Sequence, residues 1–388
     1  MRSLTLLFLA AISAAQTPRL EISHTTESLR GVSVISRDIA WASGTHGTYL
    51  RTTDAGRTWT PAQVPDAAAL DFRAVVAFSA DEAFLMSAGP GDQSRIYHTA
   101  DAGQHWQVQF TNANPKGFFD SMAFWDSKHG VVLGDPIPDD SGKLHFELLL
   151  TDDGEHWHAI PADRLPPAID GEGAFAASNT CLAIVRSGWK SGASAPRRTT
   201  ENEGASAPND PILWFATGGR STRVFHSPDR GQTWEVFNTP ILHGPDSAGI
   251  FSIAFRDALH GVIAGGDYKH PNDDGPNLAF TEDGGKTWTL SEIKPQAYFS
   301  AVAYDLHVND LALQQEAAPK SAQKRIQPAP LQRLFIVGQD FIFDFRPPRN
   351  PRRISGKKKL NAKFNAIASF PDGGALAVGP KGVIAVLP

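Results

Sequence analysis

Apolar residues fall along the chain in short runs, broken by clusters of Gly, Asp, Asn, Pro and Ser, a pattern that suits repeated β-hairpins better than helices. One kind of run recurs: Phe72-Arg73-Ala74-Val75-Val76-Ala77-Phe78, Asp120-Ser121-Met122-Ala123-Phe124-Trp125-Asp126, Phe251-Ser252-Ile253-Ala254-Phe255-Arg256-Asp257 and Phe299-Ser300-Ala301-Val302-Ala303-Tyr304-Asp305. Small residues dominate these runs, as crowding around a central channel requires, so they read as innermost strands. A second, glycine-bounded strand follows, as in Gly130–Gly134 and Gly261–Gly265. Innermost strands are expected near Gly31, Phe72, Asp120, Ala174, Phe251, Phe299 and Phe364, which makes seven repeats.

Between the runs lies a repeated turn. Thr52–Trp59, Thr99–Trp106, Leu150–Trp157, Ser227–Trp234 and Thr281–Trp288 share one pattern of hydroxyl, Asp, Gly and Trp, with the third copy degenerate at its first position. In such a turn a carboxylate, read as Asp54, Asp101, Asp152, Asp229 and Asp283, accepts backbone N–H groups, and glycine supplies a positive φ. The tryptophans Trp59, Trp106, Trp157, Trp234 and Trp288 then re-enter a strand, with ring area enough to wedge between neighbouring sheets. The aspartates therefore read as fasteners of turns rather than as catalytic or calcium-binding groups. Successive tryptophans are 47, 51, 77 and 54 residues apart, and the long interval holds an apolar-poor insertion at 187–209. A second flexible insertion is expected near 309–330. The reading is an all-β, seven-bladed β-propeller of four-stranded antiparallel blades, one domain over 16–388. Blade seven shows only three strands, and Arg19–His24 is expected to supply the fourth, closing the ring and removing two sheet edges.

Composition narrows the partners. A net charge of -5 and a pI near 6.2 give no global positive field, which argues against nucleic acid. Met1, Arg2, an apolar run from Leu4 to Ile12 and the small residues Ser13, Ala14 and Ala15 read as a signal peptide over 1–15. No later segment has the apolar length of a membrane helix, so a secreted or periplasmic monomer is expected. The single cysteine, Cys181, lies in an apolar stretch and reads as a small core residue.

The five turns resemble the Asp-box, or BNR repeat, written S/T-x-D-x-G-x-T-W. With Trp41-Ala42-Ser43-Gly44, Phe124-Trp125-Asp126, Gly134-Asp135-Pro136 and Gly265-Gly266-Asp267-Tyr268, the chain is similar to secreted BNR propellers related to the photosystem II stability/assembly factor. The resemblance implies a non-catalytic binding or assembly platform for a protein or carbohydrate. No cofactor motif is present. Sialidases and other glycosidases also carry Asp-boxes, so the alternative is a glycoside hydrolase using Asp120, Glu172 and Tyr268.

Binding is expected on the face opposite the box turns, where the loops 135–142 and 267–275 are long and acidic. The expected binding set is Arg73, Asp120, Asp135, Glu172, Asp267 and Tyr268. Neither loop has the spacing of an EF-hand, and His156 and His158 read as surface residues, so no metal is expected. A basic stretch at 346–363, including Arg346, Arg349, Arg352, Arg353 and Lys357–Lys359, reads as a solvated hairpin or a dock for an acidic partner or an anionic membrane surface.

Overall fold

The structure is a computed structural model, described here for residues 18–185, 211–292, 297–305, 333–338, 341–345, 357–359 and 362–388. The expected signal peptide and both insertions lie outside the described residues, as do Arg346, Arg349, Arg352 and Arg353.

Strands of two to nine residues pair within each blade into antiparallel ladders. Blade one is Leu29–Val34, Ala40–Gly44, Thr48–Thr52 and Thr60–Gln63, and blade two is Asp71–Ala77, Ala83–Ala88, Arg95–Thr99 and Gln107–Thr111. Blade three is Phe119–Phe124, Gly130–Pro138, Leu144–Thr151 and His158–Ala159; blade four is Leu182–Val185, Ile212–Ala216, Arg223–Ser227 and Glu235–Asn238. Blade five is Ala248–Phe255, Gly261–Asp267, Leu278–Thr281 and Thr289–Leu290; blade six is Phe299–Tyr304, Leu334–Gly338, Phe341–Phe345 and Lys357–Lys359. Blade seven is Ala366–Ser369, Ala375–Val378 and Ile384–Leu387, and its outer strand is Arg19–Glu21 from the other end of the chain, with Leu20 opposite Ala385.

The core is seven interfaces rather than one mass. Each hydrophobic cluster joins two neighbouring blades, and the series runs without a break from blades one and two round to blades seven and one. Small inner-strand hydroxyls tie neighbours together: the Ala77 N–H donates to Ser33 Oγ at 3.0 Å, the Val302 N–H to Ser252 Oγ at 3.0 Å, and Ser369 Oγ to Tyr304 O at 2.6 Å.

The five box turns lie on one face and fasten blades one to five each to the blade before it. Asp54 Oδ1 accepts from Thr58 N and Thr52 Oγ1, Thr52 Oγ1 accepts from Gly56 N, and Asp101, Asp229 and Asp283 repeat this arrangement. Each carboxylate is consumed within its own turn, and hydrogen bonds from His105 hold Asp101 down to about 2. Trp59, Trp157, Trp234 and Trp288 are buried against the preceding blade, and Trp106 packs on Trp41 and Tyr49. Preceding blades hold on in turn: Tyr49 OH donates to Gly103 O, Gln109 Nε2 to Gly154 O and Trp214 Nε1 to Gly284 O.

Three details depart from the sequence reading. In the third turn Asp153, not Asp152, accepts from Glu155 N and His156 N at 2.8 Å each, because that turn is one residue shorter between Asp and Gly. Asp152 points outward and lies 3.9 Å from His158. The inner strand of blade four is Leu182–Val185, eight residues beyond Ala174, because residues 174–180 lie across the channel mouth as turns instead of forming a strand. The acidic segment of blade three is mostly strand, with Gly130–Pro138 running through Asp135 to a tight turn at Asp139.

Candidate functional site

One irregularity, repeated round the ring, builds the site. Where each inner strand begins, the ladder slips by one residue, between Leu29 and Gly31, Phe72 and Ala74, Phe119 and Ser121, Ile250 and Ser252, and Phe299 and Ala301. The skipped residues are Arg30, Arg73, Asp120, Phe251 and Ser300. A β-bulge turns one side chain out of the pleat, and all five line a single cavity of about 500 Å³ at the channel mouth, on the face opposite the box turns. Blade seven adds Asn365, while blade four contributes the crossing segment, Ala174 to Ala177. Asp135 joins from a second bulge, between Gly134 and Pro136 on the neighbouring strand.

The crossing segment is held on three sides. Glu172 forms a short strand with Gly219, Asn179 Oδ1 accepts from Met122 N at 2.7 Å and Ser121 Oγ at 3.1 Å, and Thr180 Oγ1 donates to Ser252 Oγ at 2.8 Å. Asn179 is bent into the left-handed region, with φ of 62°. The Phe175 ring stacks on Phe251 with centroids 3.9 Å apart, above the point where Gly218 and Gly249 touch. A Cβ on Gly218 would meet Phe175 Cε2 at 2.2 Å, so only glycine admits the crossing there. Tyr298 and Tyr268 complete the aromatic wall, each edge-on to Phe251, and Tyr268 keeps 44% of its surface exposed.

Charges face this wall. Arg73 Nε donates to Asp71 Oδ2 at 2.7 Å and its Nη1 to Ala176 O at 2.5 Å, which fixes its guanidinium at the rim. Arg30 Nε lies 3.6 Å from Asp71 Oδ1, outside hydrogen-bond reach. Asp120 is buried; desolvation pushes its carboxyl well up, the charge of Asp135 adds to this, and Arg73 and the Ala176 N–H oppose it. Burial likewise pushes Asp135 up to about 6 against a 2.9 Å hydrogen bond from Ala174 N. Arg30 Nε, Asp71 Oδ1 and Asp120 Oδ2 are buried atoms with no hydrogen-bond partner.

Of the six residues expected to bind, the structure brings Arg73, Asp120, Asp135 and Tyr268 to the mouth and sets two elsewhere. Glu172 is walled off: its Oε1 accepts from Thr217 Oγ1 at 2.6 Å and Arg223 Nε at 2.9 Å, and its Oε2 from Ile169 N and Arg223 Nη2. That bidentate pair leaves no lone pair for a substrate, because the short 172–173 strand turns the side chain toward blade four. Asp267 shapes the blade-five loop. Burial alone would raise its carboxyl, but hydrogen bonds from His270, Ser247 and Lys269 N hold it below the usual range. Arg30, Phe251, Tyr298 and Ser300 were missed by the sequence reading, although each bulged residue stands between a large apolar and a small residue, as in Leu29-Arg30-Gly31 and Phe299-Ser300-Ala301, and Tyr298 precedes one such triplet. From the basic stretch, Lys363 reaches the rim, and Lys357–Lys359 form the outer strand of blade six.

Cys181 is buried and its thiol is pushed up by burial, away from reactivity. Among the described residues, no group of three or more His, Cys, Asp or Glu side chains could hold a metal ion, and no helix is long and apolar enough to cross a membrane.

Residues 12–159 match the family described as photosynthesis system II assembly factor YCF48. Over 276 residues the chain is 23% identical to the photosystem II stability/assembly factor HCF136, chloroplastic, of Arabidopsis thaliana, a match covering 63% of this chain and 62% of that protein's length. The structure of YCF48 from Cyanidioschyzon merolae superposes with a TM-score of 0.57 at 16% identity, covering 96% of this chain and 99% of that one, a likeness of fold. A structure of YCF48 bound to D1 peptide aligns over 97% of this chain and 96% of that one at 18% identity, with a TM-score of 0.39.

Proposed function

We propose that the chain is an extracytoplasmic binding or assembly propeller that docks a partner protein on its channel mouth. The observation that carries the reading is the row of bulges: inner strands of five blades break their ladders at the same place and aim Arg30, Arg73, Asp120, Phe251 and Ser300 into one opening. Breaking a ladder five times sacrifices regular pairing, and bulges are concentrated beside functional sites. The likeness of residues 12–159 to an assembly-factor family favours a protein partner over a turnover substrate. Location outside the cytoplasm rests on the leader-like run from Leu4 to Ile12.

A hydrolase reading through Asp120, Glu172 and Tyr268 loses its second carboxylate, since Glu172 is committed to Arg223. The test is affinity capture from the extracytoplasmic fraction with the wild type, Arg73→Glu and Glu172→Gln, beside a glycosidase screen. A partner retained by the wild type and lost with Arg73→Glu supports the reading. Equal retention by both, or glycosidase turnover abolished by Glu172→Gln, contradicts it.

A further inference from the structure

The buried polar atoms without partners at the mouth are of both kinds. Asp120 Oδ2 is an acceptor, while the donor Arg30 Nε and the acceptor Asp71 Oδ1 face each other at 3.6 Å as an ion pair without a hydrogen bond. Leaving such atoms unanswered costs stability, so their gathering at one opening needs a cause. Asp120 is 1% exposed and lines the cavity, and the Ala176 N–H interacts with its carboxyl.

The ligand's chemistry follows by elimination. A carboxylate or phosphate would answer Arg30 but meet Asp135 and compete with Asp71 for the guanidinium. An ammonium would answer Asp120 but meet Arg30, Arg73 and Lys363. Three cations and two carboxyls line the cavity, and Asp71 behind them pairs with Arg30 and Arg73, so neither sign of charge is strongly favoured. A hydroxyl both donates and accepts, and two on adjacent carbons reach an acceptor and a donor together. The cavity is also lined by the rings of Phe118, Phe175, Phe251, Tyr268 and Tyr298, suited to a flat face of C–H groups. The cavity, about 500 Å³, is within the range of small-molecule sites.

We infer that the channel mouth is a binding subsite for a neutral carbohydrate, one pyranose ring lying against the aromatic wall while its hydroxyls donate to Asp120 Oδ2 and accept from Arg30 Nε. This goes beyond the docking of a partner protein and stands or falls separately from it. No bond is made or broken: the saccharide enters and leaves unchanged.

The test is calorimetric titration of the purified protein with cellotriose, maltotriose, xylotriose and chitotriose at millimolar concentrations, beside N-acetylneuraminic acid and a neutral Asn/Gln-rich hexapeptide. At least one neutral trisaccharide is expected to bind more tightly than the acidic sugar and the peptide. Asp120→Leu, checked for an unchanged thermal midpoint, should weaken it about tenfold or more. Tyr268→Ala removes an exposed side chain and should weaken it several-fold whether or not the Asp120 variant folds. No heat from any neutral trisaccharide, stronger binding of the acidic sugar or the peptide, or affinity unmoved by Tyr268→Ala overturns the inference.

Discussion

Two aspartates show how little sequence distance separates a fastener from a bystander. Asp153 takes two backbone N–H groups and the His156 ring, which hold its carboxyl well below the usual range, whereas the adjacent Asp152 makes only a 3.9 Å approach to His158. Asp153→Ala should lower the urea midpoint, and Asp152→Ala should leave it in place. The reverse order would mean that the third turn is fastened in another register. Asp135 carries the opposite electrostatic sign. Burial raises its carboxyl from 3.8 to about 6, so its contribution to stability is complete below about pH 4 and is lost as pH rises through about 6. Asp135→Asn keeps the acceptor for Ala174 N and removes the buried charge. Above pH 6 it should therefore gain roughly 3 kcal/mol on the wild type, a difference that vanishes near pH 4 in urea titrations across that range.

At the scale of elements, the blades were legible because each carries its own signals: small residues on inner strands, glycine at strand ends and tryptophan after each box turn. Trp288 illustrates the last, packing on Trp214 and its blade-four neighbours. Trp288→Ala should cost about 3–5 kcal/mol in unfolding free energy, the usual range for emptying a buried indole site. Loss of less than about 1 kcal/mol would show that the ring does not join the blades. What local pattern could not show was the crossing at 174–180. Ala174 sits among small and apolar residues like those of an inner strand, but the Gly218–Gly249 contact, distant in sequence, lets the chain pass over the channel and sends the true inner strand to Leu182–Val185. Glu172 was misplaced for the same reason, since Arg223 comes 51 residues later in the chain. Asp120 and Arg73 could be placed because they depend only on a strand start, which sequence does mark.

At the scale of the molecule, closure is shared by the two chain ends. Arg19–Glu21 pairs with Ile384–Val386, and Glu21 accepts from Trp59 Nε1 at 2.6 Å, so the closing strand also anchors the first box turn. Gln109 holds Trp157 in the same way from the outer strand of blade two, which makes the closing strand equivalent to an ordinary outer strand. Removing residues 17–25 should sharply lower the thermal midpoint, and an unchanged midpoint would show that the seam between blades seven and one holds without it. A closed ring keeps the mouth residues of different blades in fixed relation, which is what lets bulges far apart in sequence form one site. The central claim, that the protein works through this mouth, is tested most directly by photocrosslinking in the native cell with a benzoylphenylalanine at Tyr268 and, separately, at Thr287 on the box face. A discrete partner adduct from position 268 and none from 287 is the expected result; adducts from 287 alone would contradict it.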